Sequence, residues 1–533
     1  MSTTRNSIKL SFFTILSRIL GLIRDRFQAV FFGTGAIATA WEIAFMLPNM
    51  LRNLLAEGVL SQAFIPVYSD SIKDPERNER RVAGVVLTFL SLVLTGIVII
   101  GIVLFPIVLP LMTDQSVEEA ALVIRLSRIM FVFIMTASLT AILAGIANTH
   151  HHFSMPAISP IILNLVFILG FLWIGRQNWD SETNAFYLAW TVVLGGVIQF
   201  TIQFIYIIYC GWYPVPSFQF NHPALKKIFS LMAPAVLGAS LFQLNQLADI
   251  TIASYFIPEE MGAVPALRFA HRLIQLPTGV IGVALSTAIL PALARIIRDG
   301  EAGDSLEFGS ALRFALFLTV PAAIGLYLLG PQIIDLIYFG GEWDERSSAV
   351  TWQALQFYSL GIPVFSLNKI LTSSYYAYQD TRTPVRIMIV TLVLNFGMNL
   401  MLVHSLAQGG IALSTSLSSL VNCVLLYSGL RKKELNTALR PLLRFLVMMI
   451  PAWLALGATV LLVVLFKSTI GDYAVMLGSY LQLNESRNLQ AAGPVVVGVV
   501  LGGGLYLSIA AFMRLEELNV ILHYIPFRRK RRR

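Results

Sequence analysis

Apolar stretches of membrane-spanning length alternate with short polar connections along almost the whole chain. A helix needs roughly 20 residues to cross a bilayer, and about fourteen segments are long enough. In the first set their limits fall near 10 to 32, 38 to 66, 82 to 110, 120 to 147, 155 to 174, 184 to 209 and 228 to 255. The second set runs 262 to 294, 306 to 330, 348 to 377, 384 to 404, 409 to 430, 442 to 466 and 493 to 514. The pattern predicts an all-α polytopic membrane protein. The longest connection between spans, about 467 to 490, leaves no room for a soluble catalytic domain.

Composition agrees: 56% of the 533 residues are hydrophobic, 13% are charged and the mean hydropathy is +0.73. Soluble domains carry roughly 25% charged residues. The net charge of +9 owes much to Arg528 through Arg533, and such a run beside a membrane meets anionic lipid rather than nucleic acid. Alternate connections hold the basic residues: Lys73, Arg77, Arg80 and Arg81; Lys226 and Lys227; Arg295 and Arg298; Arg382 and Arg386; then Arg431, Lys432, Lys433 and Arg440. This predicts cytoplasmic termini and an even number of spans. The first apolar segment contains Arg18, Arg24, Asp25 and Arg26, so it does not read as a cleavable signal peptide. Cys210 and Cys423 suggest neither a disulfide framework nor a metal cluster.

The second and eighth segments share a motif. Ser61-Gln-Ala-Phe-Ile-Pro66 parallels Ser286-Thr-Ala-Ile-Leu-Pro291, each before a basic loop. Six spans separate the copies, and an even number preserves orientation. Two parallel six-helix lobes around a central cavity are therefore expected, 1–222 and 223–433, with the last two spans and the basic tail, 434–533, as an addition.

Charges inside the spans mark the candidate site. In the second segment Asn49, Asn53, Glu57 and Ser61 recur every four residues as one polar stripe, with Arg52 at its edge. In the first, Arg18 and Asp25 share a face, and Arg24 points elsewhere unless the helix bends near Gly21. In the eighth, Arg268, His271, Arg272 and Gln275 form another stripe. One arginine near a helix end can snorkel to the headgroups. Arg18, Arg24, Arg52 and Arg272 together would cost on the order of 10 kcal/mol unpaired at mid-bilayer. A guanidinium stays charged and offers paired donors to phosphate, so converging arginines suit a diphosphate headgroup. Asp25 and Glu57 are the counter-charges that would hold them apart. The plainer account, permanent ion pairs that lock helices together, leaves four arginines against two acids.

These residues carry a resemblance. Ser17-Arg18-Ile-Leu-Gly-Leu-Ile-Arg24-Asp25, Leu47-Pro48-Asn49 through Arg52, Ala56-Glu57-Gly58 and the Ser61–Pro66 motif resemble the signature of the MurJ/MviN lipid II flippases. Arg272-Leu with Pro277-Thr-Gly-Val-Ile-Gly-Val-Ala-Leu, and Tyr376-Ala-Tyr-Gln-Asp380 with Thr383-Pro384-Val, extend it along the chain. The resemblance implies a fourteen-helix exporter of the multidrug/oligosaccharidyl-lipid/polysaccharide superfamily in the bacterial inner membrane. It would move lipid-linked peptidoglycan precursor outward, with membrane lipids and peptidoglycan-synthesis proteins as its surroundings. The family's essential arginines fall on Arg18, Arg24, Arg52 and Arg272. Where the family commonly reads Thr-Asp-Ala, this chain has Ala38-Thr39-Ala40, and Glu42 is the nearest acid.

Asp249, Asn395, Asn399 and Thr415 form a second polar set, read either as a sodium site, which some family members have, or as an interhelical hydrogen-bond cluster. No other cofactor is expected. The tract His150, His151 and His152 reads as a solvated loop ahead of a metal site. No phosphate-binding G-x-x-x-x-G-K-[ST] motif occurs, so ATP hydrolysis by the chain itself is not expected. Three rival readings are an exporter of another polyprenyl-diphosphate-linked oligosaccharide, an exporter of small molecules, and a membrane glycosyltransferase using Glu342 and Asp344 beside Trp343.

Overall fold

The computed structural model describes residues 2–55, 59–73, 79–112, 117–298, 306–432, 439–480 and 487–518. Glu57 and the basic run Arg528 to Arg533 lie outside them. Backbone donors and acceptors find no water in hydrocarbon, so each segment satisfies its own as a helix. Two compact units result, Met1–Val264 and Pro265–Arg533.

The first unit contains α1 (Ser2–Phe32), α2 (Ala36–Leu55), α3 (Val59–Lys73), α4 (Glu79–Met112), α5 (Val117–Met130), α6 (Phe133–Thr149), α7 (Ser154–Ile174), α8 (Ser181–Tyr209) and α9 (Pro223–Phe256). The division falls in the first turn of α10 (Ala263–Pro277). The second unit continues with α11 (Val283–Arg298), α12 (Leu306–Leu328), α13 (Gly330–Tyr338), α14 (Glu345–Ala377), α15 (Arg382–Leu406) and α16 (Gln408–Lys432). It ends with α17 (Leu439–Leu465), α18 (Lys467–Tyr480), α19 (Arg487–Val497) and α20 (Gly503–Phe512). A π-helical turn, Thr278–Gly282, joins α10 to α11. Another, Gly498–Gly502, joins α19 to α20.

Among the described residues, nine helices are long and apolar enough to cross a membrane, and α9 adds a tenth as a bent pair. The other expected spans are those that carry the polar residues: α1, α2 with α3, α10 with α11, and α14. The 38–66 segment is described as two helices on either side of residues 56–58.

In unit 1, α1 packs on α7 through Phe27, Phe31 and Phe32, whose rings gather around Phe171. Asp180 caps α8 by accepting the Thr183 amide at 3.0 Å. In unit 2, α14 packs against α11, α12 and α16. The last two spans join this unit along α12: Phe317 shares a buried core with Met449 and Leu456 of α17, and the Tyr506 hydroxyl donates to the Phe317 carbonyl at 2.7 Å.

Candidate functional site

Unit 1 brings two of the expected arginines into defined settings. Helical side chains tilt toward the N-terminus, so Arg24 reaches back along α1 toward the level of Ser17. There Asn164 of α7 accepts from Arg24 Nη1 at 3.2 Å and donates Nδ2 to the Ser17 carbonyl at 3.1 Å. Arg24 also donates to Asp25 Oδ1, from Nε at 3.2 Å and Nη2 at 2.7 Å, and stands 5.5 Å from the Phe167 ring centroid. The pair is well withdrawn, with side-chain exposures of 19% and 1%. Helical spacing alone put Arg24 off the face of Asp25. The structure joins them with α1 unbroken through Gly21, because a long guanidinium stem can fold onto its neighbour. Arg18, by contrast, lies exposed on α1.

Arg52 is half-buried near the end of α2, where Nη2 donates to Asn49 Oδ1 at 3.0 Å and Asn53 Oδ1 at 2.9 Å. Two members of the stripe read from sequence thus form an amide cradle whose neutral oxygens orient the guanidinium. Ser61 donates to the Ala141 carbonyl of α6 at 3.4 Å, and so belongs to the α3–α6 contact. Glu42, the acid nearest Thr39, is 6% exposed and accepts from Gln28 Nε2 at 2.6 Å.

In unit 2 the α10 stripe is linked to itself. Arg272 Nη1 donates to Gln275 Oε1 at 3.3 Å, and Gln275 Nε2 meets His271 Nδ1 at 3.2 Å. The His271 ring lies 5.8 Å from Tyr358 of α14, while Arg268 stands over its neighbour Phe269 at 5.4 Å. Immediately after α10 the π turn begins, and Lys369 of α14 donates Nζ to the Thr278 carbonyl at 3.1 Å. Widening a helix by one residue frees carbonyls for such outside donors.

Asn164 and Lys369 were missed in the sequence reading. Both had a signal: each is a polar or charged residue in an otherwise spanning segment.

The second polar set divides between the units. In unit 1, Asn245 Nδ2 lies 3.5 Å from Asp249 Oδ2. In unit 2, Asn399 Nδ2 donates to Asn395 Oδ1 at 3.1 Å, and Asn395 Nδ2 reaches Thr415 and Ser418 hydroxyls at 3.4 and 3.3 Å. These contacts use the Asn395 oxygen and both amide nitrogens, while the buried Asn399 Oδ1 accepts no hydrogen bond among the described residues. No group of three or more His, Cys, Asp or Glu fit to hold a metal occurs among the described residues.

In the histidine tract His151 and His152 are exposed at a turn, as the solvated-loop expectation has it, while His150 is half-buried. His150 stacks on Trp212 at 4.1 Å and meets the Tyr68 hydroxyl at 3.2 Å, while His152 approaches Trp212 edge-on at 4.9 Å. The tract clasps the α8–α9 linker, and burial holds the His150 imidazole below its usual range. One of the two loop acids likewise has a local use. Asp344 caps α14 by accepting the Ser347 amide at 2.7 Å. Burial pushes its carboxyl up, but the Ser347 hydrogen bonds outweigh this and hold it below the usual range.

Helices of spanning length, with guanidinium groups carried on α1, α2 and α10, define the class: an integral membrane transporter. The chain belongs to the lipid II flippase MurJ family, whose model matches residues 28–481. A probable lipid II flippase MurJ of Rhizobium tropici is 33% identical over 440 residues, covering 81% of this chain and 82% of the relative. The lipid II flippase MurJ of Burkholderia cenocepacia is 32% identical over 471 residues, covering 86% and 89%. In fold, the chain is similar to a lipid II flippase MurJ solved in an inward closed conformation, with a TM-score of 0.76 and 24% identity over 96% of this chain and 100% of that one. An inward-facing multidrug MATE transporter also shares the fold, at a TM-score of 0.66 and 15% identity over 80% of this chain and 98% of that one.

Proposed function

We propose that this protein moves lipid II from the cytoplasmic to the outer leaflet of the bacterial inner membrane by alternating access of two lobes. Family membership supports the substrate, and the arginines support the binding chemistry. The carrying observation is Arg52, a cation in a membrane-length segment held by two amide oxygens. Such a cradle orients the fork, whose paired donors suit an anion.

Arg18, Arg24, Arg52 and Arg272 bind the diphosphate in this reading. Asp25, Asn49, Asn53, Ser61, Arg268, His271 and Gln275 shape the cavity, as does Glu57. The polyprenyl tail stays in lipid. With both termini cytoplasmic, outward movement of an anion is assisted by a membrane potential negative inside, at roughly 2.3 kcal/mol per charge per 100 mV. Sodium at Asp249, Asn395, Asn399 and Thr415 is a second proposal. Its binding requires the Asn395 amide oxygen to leave Asn399 Nδ2, and a fall in transport when sodium is replaced by choline is its test.

Leaflet accessibility of lipid II in cells depleted of their own flippase tests the reading. The wild-type chain should restore outward exposure, and Arg52→Ala, inserted to the same level, should not. Equal rescue by both would remove Arg52 from the site.

A further inference from the structure

One side-chain network connects the last span with the helix that carries Arg272. Arg487 and Asn488 open α19, beyond the residues that the family model matches. Asn488 Nδ2 donates to the carbonyls of Asp335, Leu336 and Phe339 at 2.7, 3.2 and 3.1 Å, closing the C-terminal end of α13. Arg487 Nε donates to Asp335 Oδ2 at 2.9 Å, its Nη1 pairs with Glu345, and its guanidinium covers the Phe339 ring at 4.5 Å.

From Asp335 the network turns inward. Ser348 donates to Asp335 Oδ1 at 2.6 Å and accepts from Trp343 Nε1 at 3.0 Å. Trp343 is 1% exposed, and its ring lies 4.9 Å from Phe269 and 5.1 Å from Tyr338. Phe269 and Tyr338 also meet at 4.9 Å, so the three rings form a closed buried triad. A two-glycine turn holds Trp343 in place: Gly340 and Gly341 have φ of 132° and 57°, which favour glycine, and Gly340 and Trp343 exchange backbone hydrogen bonds at 3.2 and 3.0 Å. Phe269 precedes Arg272 by one helical turn on α10.

We propose that Arg487 is a positioning residue for the substrate site. Through Asp335, Ser348 and Trp343 it fixes the seat of Phe269, and with it the rotation and height of α10 that aim Arg272. The buried triad transmits position because close-packed rings cannot shift singly. Arg487 also has more at stake than a surface pair, since Asp335 is only 14% exposed and removing its guanidinium leaves a withdrawn carboxylate. This inference rests on the assignment of Arg272 to the diphosphate site.

The test measures affinity of the purified full chain for a short-chain polyprenyl diphosphate-linked disaccharide peptide, with Arg487→Ala made in two backgrounds. In the chain retaining Arg272, affinity should fall about tenfold; in the Arg272→Ala chain, Arg487→Ala should cause no further loss. Equal losses in both backgrounds, or unchanged affinity with only a lower unfolding midpoint, would assign Arg487 to stability and overturn the inference. If Arg272→Ala alone leaves affinity intact, the diphosphate assignment itself fails, which is a separate readout. Should Arg487→Ala not fold, Asp335→Asn and Arg487→Lys are read in the same two backgrounds. Arg487→Lys keeps the charge but loses the fork, so its loss should be smaller than that of Asp335→Asn.

Discussion

Arg24 and Arg272 sit in opposite chemical settings. Arg24 is paired with a buried carboxylate and anchored across helices to Asn164. Arg272 donates to Gln275, an exposed amide one turn along its own helix. The first arginine therefore ties α1 to α7 within unit 1, while the second makes its hydrogen bond to Gln275 within α10. An anion would compete with Asp25 for Arg24, whereas at Arg272 it would displace a neutral oxygen. One residue type in two spans thus meets two kinds of partner, a buried carboxylate and a neutral amide.

Substitutions can break this contrast, beginning with the largest expected effect on stability. Arg24→Ala removes the cation paired with Asp25, which is 1% exposed, and should lower unfolding stability by on the order of 3 kcal/mol, read by thermal or denaturant unfolding in a membrane mimetic. Asn164→Ala removes both a partner of Arg24 and a donor to Ser17, and a loss of about 1 to 2 kcal/mol is expected from the same measurement. Lys369→Met takes one donor from the Thr278 carbonyl and should cost about 0.6 kcal/mol, near the average for interhelical hydrogen bonds in membranes. Arg272→Ala should change stability by less than about 0.5 kcal/mol while abolishing outward exposure of lipid II. If Arg272→Ala were instead as destabilising as Arg24→Ala, the two settings would not differ in kind.

Spans with distinct tasks also differ in composition. α4 and α14 are similar in length, 34 and 33 residues. α4 turns Leu92, Ile99, Ile100, Val103, Ile107 and Leu111 outward, as a helix facing lipid must. α14 carries buried Ser348, Ser359, Ser366 and Ser374 and lies against α11, α12 and α16. Serine within a span can donate to its own helix, as Ser359 does to Leu355 and Ser374 to Ile370, so polarity there need not mark a binding site. For that reason the cost of a buried guanidinium is a sharper indicator than polarity alone.

Much of the architecture was legible because hydrocarbon admits few solutions. Long apolar runs have to become helices, so the α4, α7, α8, α12, α15, α16 and α17 segments could be read to within a few residues. The candidate arginines were legible for the complementary reason, since a charge in such a run is costly unless something receives it. Local spacing served less well for Arg24, whose flexible stem reached Asp25 despite the helical wheel. For the histidine tract it found the exposed His151 and His152 but not the stacking of His150, because Trp212, the ring that receives it, lies on another connection.

The sequence by itself determined that this is a polytopic helical membrane protein, which residues place charge in its spans and, through its motifs, its family. Only the tertiary structure decided which partners those charges have. Arg24 meets Asn164 across 140 residues of chain, and Arg487 meets Asp335 across 152. Composition and periodicity are local properties that solvent or lipid can select directly. A hydrogen bond of about 3 Å depends on how whole helices pack, and no spacing along the chain encodes it.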